Sequence, residues 1–68
     1  MTEIHFIVTE AAEGGYLARA VGADLFTEAD DLDILYAQVR DAVHCHFDEG
    51  KGPGIIRLHI SREEVIAA

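Results

Sequence analysis

The hydrophobic period of this chain changes twice, and the two changes confine it to one small family of folds. From Ile4 to Glu28 apolar residues recur every second position, the pattern of half-buried strands. "EIHFIVTEA" is one such run, "YLARAV" a second and "DLFTE" a shorter third. From Asp31 to about Phe47 the core-facing stripe instead takes positions 32, 35, 36, 39, 42, 43, 46 and 47, the 3.6-residue period of a helix that lets His46 and Phe47 help close the core. "EGKGPG" then bars continuation, with Gly50 as the C′ residue and Pro53 beyond it, and "IIRLHI" returns to the strand period. The order is β-β-β-α-β.

Punctuation between the runs agrees with that reading. Gly14 and Gly15 in "AAEGG" permit the positive φ of a turn, and Gly22 suits the first central position of a tight type II′ hairpin. Asp30 or Asp31 caps the helix start, and Asp33 lies in the first turn, where the helix dipole favours a carboxylate. Ser61 and Glu64 form an S-x-x-E capping box, which predicts a short C-terminal helical turn through "REEVIAA".

Three consecutive strands form an antiparallel meander. A helix crossing one face then delivers the last strand parallel to a neighbour by a right-handed connection. The first strand is the longest and most apolar, so the fourth belongs beside it. The expected fold is α+β, one domain over residues 1–68. It has a four-stranded mixed sheet of order 3-2-1-4 with the helix packed on one face.

A chain of 68 residues supports only about 3–5 kcal/mol of stability from a single core, so self-association is expected. Its single cysteine, Cys45, cannot close an internal disulfide, which fits a reducing cytoplasmic setting. No basic, apolar leader begins it, and no run nears the roughly 18 apolar residues of a membrane span. Thirteen acidic against five basic residues leave a net charge of −8. That balance disfavours phosphate-backbone binding and suits a basic protein partner.

Three stretches invite a chemical reading. "VHCHFDEG" sets two histidines about the cysteine. At 100° per residue from Val39, His46 falls at about −20°, Cys45 at about −120° and His44 at about 140°. His46 therefore belongs at the core edge, bonding a loop carbonyl, Cys45 on a partly buried flank and His44 in solvent. They do not chelate one ion while the segment is helical, because helical zinc sites use histidines four apart. "EGKGPG" lacks the order of a phosphate loop and leads into a strand, not a helix N-terminus.

His5 and His59 are the more informative pair. If Ile4, Phe6 and Val8 face the helix, His5 faces away; if Ile56, Leu58 and Ile60 do, Arg57 and His59 face away too. With strands one and four adjacent, both histidines share the open sheet face. Ile7, Thr9, Leu17, Arg19, Val21, Phe26 and Ile55 are expected there as well, because the opposite register would bury Arg19. A half-apolar face with two arginines is the composition of an interaction surface. The residues expected to form a partner or dimer interface are His5, Ile7, Leu17, Arg19, Phe26, Arg57 and His59.

The early strand, "EGGY", the short meander, the acidic "EADDLDIL" helix start and the helix through "AQVRDAV" together resemble the HicB-type antitoxin domain. The resemblance spans roughly residues 3 to 60. It implies a partial RNase-H-like fold and a non-catalytic module that binds and neutralises HicA, a small basic mRNA-cleaving toxin, as a homo-dimer or higher oligomer. It implies no cofactor, no metal and no catalytic residues, and a fold shared with nucleases confers no nuclease activity. Two departures stand out. No helix-turn-helix or ribbon-helix-helix segment follows the domain as far as Ala68, so direct nucleic-acid contact is not expected. "VGAD" is also shorter than the Pro- and Gly-containing loop such domains tend to carry. Two other classes compete with the antitoxin reading. One is a small metal-dependent or hydrolytic enzyme using His5, His59 or Cys45. The other is an orphan HicB-like domain with a structural or regulatory role and no toxin partner.

Overall fold

The computed structural model describes residues 2–48, 50–62 and 64–68. Alternation of β-branched and aromatic residues makes β1 (Glu3–Glu10), β2 (Tyr16–Ala20) and β3 (Phe26–Ala29). The 3.6-residue stripe makes α1 (Leu32–His46), and "IIRLHI" makes β4 (Ile55–Ile60). The sheet order is β3-β2-β1-β4, with antiparallel β1–β2 and β2–β3 pairs and a parallel β1–β4 pair. The mixed four-stranded sheet, its order and its single covering helix are those expected from the sequence.

Two glycines set the meander. Gly22 has φ +81° and sits where the Arg19–Phe26 register places the first central residue of a two-residue turn. No other residue type adopts that conformation without strain. Gly15, at φ +83°, carries a second constraint: a Cβ there would lie 2.8 Å from the Ala29 carbonyl oxygen. The β1–β2 turn thus passes directly against the end of β3.

The core lies between sheet and helix. Ile4, Phe6 and Val8 of β1, Ala18 and Ala20 of β2, and Leu35, Val39 and Val43 of α1 are buried. The two alanines keep the sheet surface low where the helix approaches. The helix contacts β3 and β2, so β4 at the far side is less covered. Ile56 and Leu58 are half-buried, and Ile60 is 44% exposed.

Four local expectations are corrected. The helix does not run to a Gly50 cap. Phe47 leaves it in extended conformation and packs against the core, and Gly50 lies in a later turn closed by Lys51 N–H donating to the Asp48 carbonyl at 2.9 Å. His46 is exposed rather than tucked at the core edge, its ring edge-on to Phe47 at 4.9 Å. Of the two residues that the helical period brings to the core here, Phe47 packs against it and His46 does not. Cys45 is exposed too, because the buried stripe of α1 is only one residue wide, Leu35, Val39 and Val43. Finally, Ser61, Arg62 and residues 64–68 form no helical turn. So short a helix is costly to nucleate in isolation, and Val65 and Ile66 find no surface to bury against.

Candidate protein-binding face

Strand alternation delivers all seven expected interface residues to the sheet face opposite the helix. The register places Phe26, Arg19, Ile7 and His59 in one row across the four strands. Glu28, Leu17 and Thr9 form the row on one side, and His5 and Arg57 pair on the other, followed by Glu3 and Ile55. Ile7 is 43% and Phe26 55% exposed, and with Leu17, Thr9 and Arg19 they line a shallow groove. Arg19 takes no part in any ion pair among the described residues. It crosses this apolar patch with its charge available.

Beside the groove lies a hydrogen-bonded cluster that strand alternation alone does not reveal. Glu3 Oε1 accepts from His5 Nε2–H at 3.0 Å, and Glu3 Oε2 accepts from Arg57 Nε–H at 2.9 Å. His5 Nδ1 and His59 Nε2 lie 2.8 Å apart and share one hydrogen bond; their rings stack at 5.1 Å with an 18° interplanar angle. When His5 is neutral and donates to Glu3, its Nδ1 must accept, so His59 Nε2 carries the shared proton. The Arg57 guanidinium, and then the His5 ring, hold the Glu3 carboxyl below its ordinary value of 4.5. Glu3 is not among the residues expected from the sequence, because its main partner is 54 residues away. The signal that could find it is its position two residues before His5, on the same strand face.

The cluster brings His5 and His59 together as expected from adjacent strands. Their hydrogen bonds run to Glu3 and to each other, with no hydroxyl or thiol among the partners. Cys45 lies on the helix, on the opposite side of the sheet. No group of three or more His, Cys, Asp or Glu side chains converges as a metal site among the described residues.

Acidic groups gather at the β3 corner of the sheet, where the open face meets the helix side. There the β1–β2 turn meets the β3–α1 junction, and Glu13, Glu28 and Asp30 line a second groove with Tyr16, Leu17 and Ile34. Leu17 borders both grooves, so the apolar patch runs into the acidic one. No helix among the described residues is long and apolar enough to cross a membrane.

The chain is similar to two curated proteins. Over 46 residues it is 48% identical to a UPF0150 protein of Archaeoglobus fulgidus, covering 68% of this chain and 70% of that one. Over 65 residues it is 37% identical to a UPF0150 protein of Thermotoga maritima, covering 96% of this chain and 91% of that one. No protein-family profile matches the chain. No solved structure matches it at a significant level.

Proposed function

The chain belongs to the UPF0150 protein family, and on that premise we propose that it is a non-catalytic, self-associating binding module that acts as a HicB-type antitoxin. Its partner is a small basic toxin protein of the HicA kind. The observation that carries this reading is the open sheet face: an apolar centre of Ile7, Leu17 and Phe26 continuous with the acidic groove of Glu13, Glu28 and Asp30. A basic protein with one apolar anchor fits such a surface. The anchor is desolvated in the centre, and its Lys and Arg side chains meet the acidic rim. The net charge of −8 steers that partner toward the module. The polar side chains beside the centre are already bonded within the chain, through Glu3, His5, Arg57 and His59. Covering those four leaves no new unpaired group, whereas Arg19, without an ion-pair partner among the described residues, needs an acceptor from the partner.

Co-expression with a HicA-like toxin encoded beside this chain tests the reading. Growth restored and a stable complex recovered are the expected results, with Phe26→Ser and Glu28→Lys each weakening the complex. Arrest that persists with no complex recovered would overturn it.

A second reading has one observation in its favour. The run from the Glu3 carboxylate through His5 to His59 resembles the orienting arrangement that fixes an imidazole tautomer in catalytic and metal sites. Metal content of the purified protein separates the two. Stoichiometric zinc whose removal lowers the melting temperature would favour an enzyme or metalloprotein over the binding module.

A further inference from the structure

The chain has four histidines. His44 and His46 lie two apart in the last turn of α1, where the helix turns them to different sides. His5 and His59 are 54 residues apart in sequence and still meet. The parallel register sets His5 beside Arg57 and Ile7 beside His59, so the two rings are diagonal neighbours on one face of the β1–β4 pair. Paired strands hold such a constellation more firmly than loops do. His5 is half-buried and His59 exposed, so both rings are within reach of a solute ion.

Their meeting aims two ring nitrogens at one place. His5 Nδ1 and His59 Nε2 are 2.8 Å apart, while the ring centres are 5.1 Å apart with 18° between the planes. That separation of centres is close to the greatest that a 2.8 Å nitrogen contact permits, so the nitrogens face each other along the line between the rings. One shared proton now lies between them. A tetrahedral zinc ion with bonds of about 2.0–2.1 Å to imidazole holds two nitrogens about 3.3 Å apart. The rings need only part by roughly half an ångström and pivot so that their lone pairs converge. The second side-chain torsion of histidine is broad enough to allow it.

The tautomer is set in advance. A metal-bound histidine almost always gives its other N–H to a carboxylate, a carbonyl or water. Here His5 Nε2–H donates to Glu3 Oε1 at 3.0 Å, which leaves Nδ1 bare when the ring is neutral. Glu3 is held in turn by Arg57 Nε–H at 2.9 Å, and its negative charge offsets the guanidinium that a cation would otherwise meet. His59 changes tautomer when the ion arrives. Its proton leaves Nε2 and Nδ1 carries one instead, so two neutral rings bind the ion with no net proton released.

We propose that His5 Nδ1 and His59 Nε2 form a surface site for one divalent transition-metal ion, Zn²⁺ or Cu²⁺, with Glu3 as the positioning residue. Imidazole suits these ions, whereas Mg²⁺ and Ca²⁺ demand oxygen ligands. Structural zinc sites take four protein ligands and catalytic ones three. Two ligands leave half of a tetrahedral shell to water. The ion is therefore weakly held and exchangeable, and the fold does not depend on it. His59 shares its row with Ile7, so the open positions lie beside the apolar groove and face whatever covers it. The site takes up the observation behind the second functional reading without its enzyme, and it is independent of the toxin's identity.

The test is a titration of Zn²⁺ into the full chain with excess Mg²⁺ present, using Cys45→Ser as the parent so that the one thiol is gone. Nitrogen-15 NMR of the imidazoles on the same samples reads which ring atoms the ion takes. One Zn²⁺ per chain should bind at micromolar concentration, moving the His5 Nδ1 and His59 Nε2 signals and leaving those of His44 and His46 in place. His59→Asn should raise the dissociation constant at least tenfold, and His44→Asn should leave it unchanged. Glu3→Ala should raise it about 10- to 100-fold, the usual effect of losing a ligand's orienting partner. Glu3→Gln, which keeps an oxygen acceptor for His5, should raise it less. The NMR arm uses the native histidines, so a variant that fails to fold leaves the test intact. Zinc that moves His44 and His46 instead would overturn the inference. So would binding that a folded His59→Asn variant leaves undiminished, or no binding at micromolar zinc. The binding module is judged by complex formation and the enzyme reading by metal retained through purification, so failure here is distinct from failure of either.

Discussion

Glu3 is the residue on which the open face is organised. One carboxylate joins strands β1 and β4 through Arg57 at 2.9 Å and orients the His5–His59 pair at 3.0 Å. Both contacts favour its ionised form and depress its pKa, the Arg57 hydrogen bond most. Its folded pKa is therefore lower than its unfolded one. The stability it contributes is present above the ordinary value of 4.5 and is lost as pH falls below that value through the folded pKa. The side chain is solvent-screened, so the effect is small and is read as a difference between two proteins. Glu3→Gln should melt less steeply with acid than the parent below pH 4.5, and the two curves should run parallel above it. Melting temperature followed by circular dichroism across that range checks this. Identical acid slopes would show that Glu3 carries no such linkage.

Elements are legible in the sequence where a pattern repeats and illegible where one contact decides. Four strands and a helix follow from two periods and three turns, and the 3-2-1-4 order follows from placing the last strand beside the most apolar one. Periodicity loses its force at the helix end. A 100° wheel assigns His46 to the apolar face, but it does not say that the helix ends at His46 and that Phe47 leaves it in extended conformation. The capping box at Ser61 and Glu64 is a local signal with nothing to pack on, so no turn forms. The seven open-face residues are readable because a two-residue period fixes the face once Arg19 must avoid the core. Glu3 is not, because its partner is known only once the parallel register is. The same limit applies at the start of α1, where two aspartates compete in sequence for one role. The Asp31 carboxylate accepts from Ile34 N–H at 2.8 Å and is the cap. Asp31→Ala should cost about 1 kcal/mol, the usual value for a lost N-cap, and Asp30→Ala markedly less. Urea denaturation of the two variants decides it. Equal losses would mean that general N-terminal charge, not the cap, stabilises the helix.

Across the whole molecule, fold and charge separate two tasks onto different surfaces. The helix side closes the core, and the open face with its acidic end stays uncovered, the surface proposed for a basic partner. Charge and apolar contact should then act on different steps of that last association. The field from a net charge of −8 acts on encounter, which fixes the association rate and is screened over about 8 Å at physiological ionic strength. Ile7, Leu17 and Phe26 act after contact, through the lifetime of the complex. Stopped-flow mixing with a HicA-like toxin should therefore show association slowing at least tenfold between low and high salt, with dissociation little changed. Glu13→Lys with Glu28→Lys should lower the low-salt association rate and flatten its salt dependence. Phe26→Ser should leave the association rate near the parent's and speed dissociation instead. An association rate insensitive to salt, or a Phe26→Ser variant that dissociates no faster, would remove the open face and its acidic end as the binding surface.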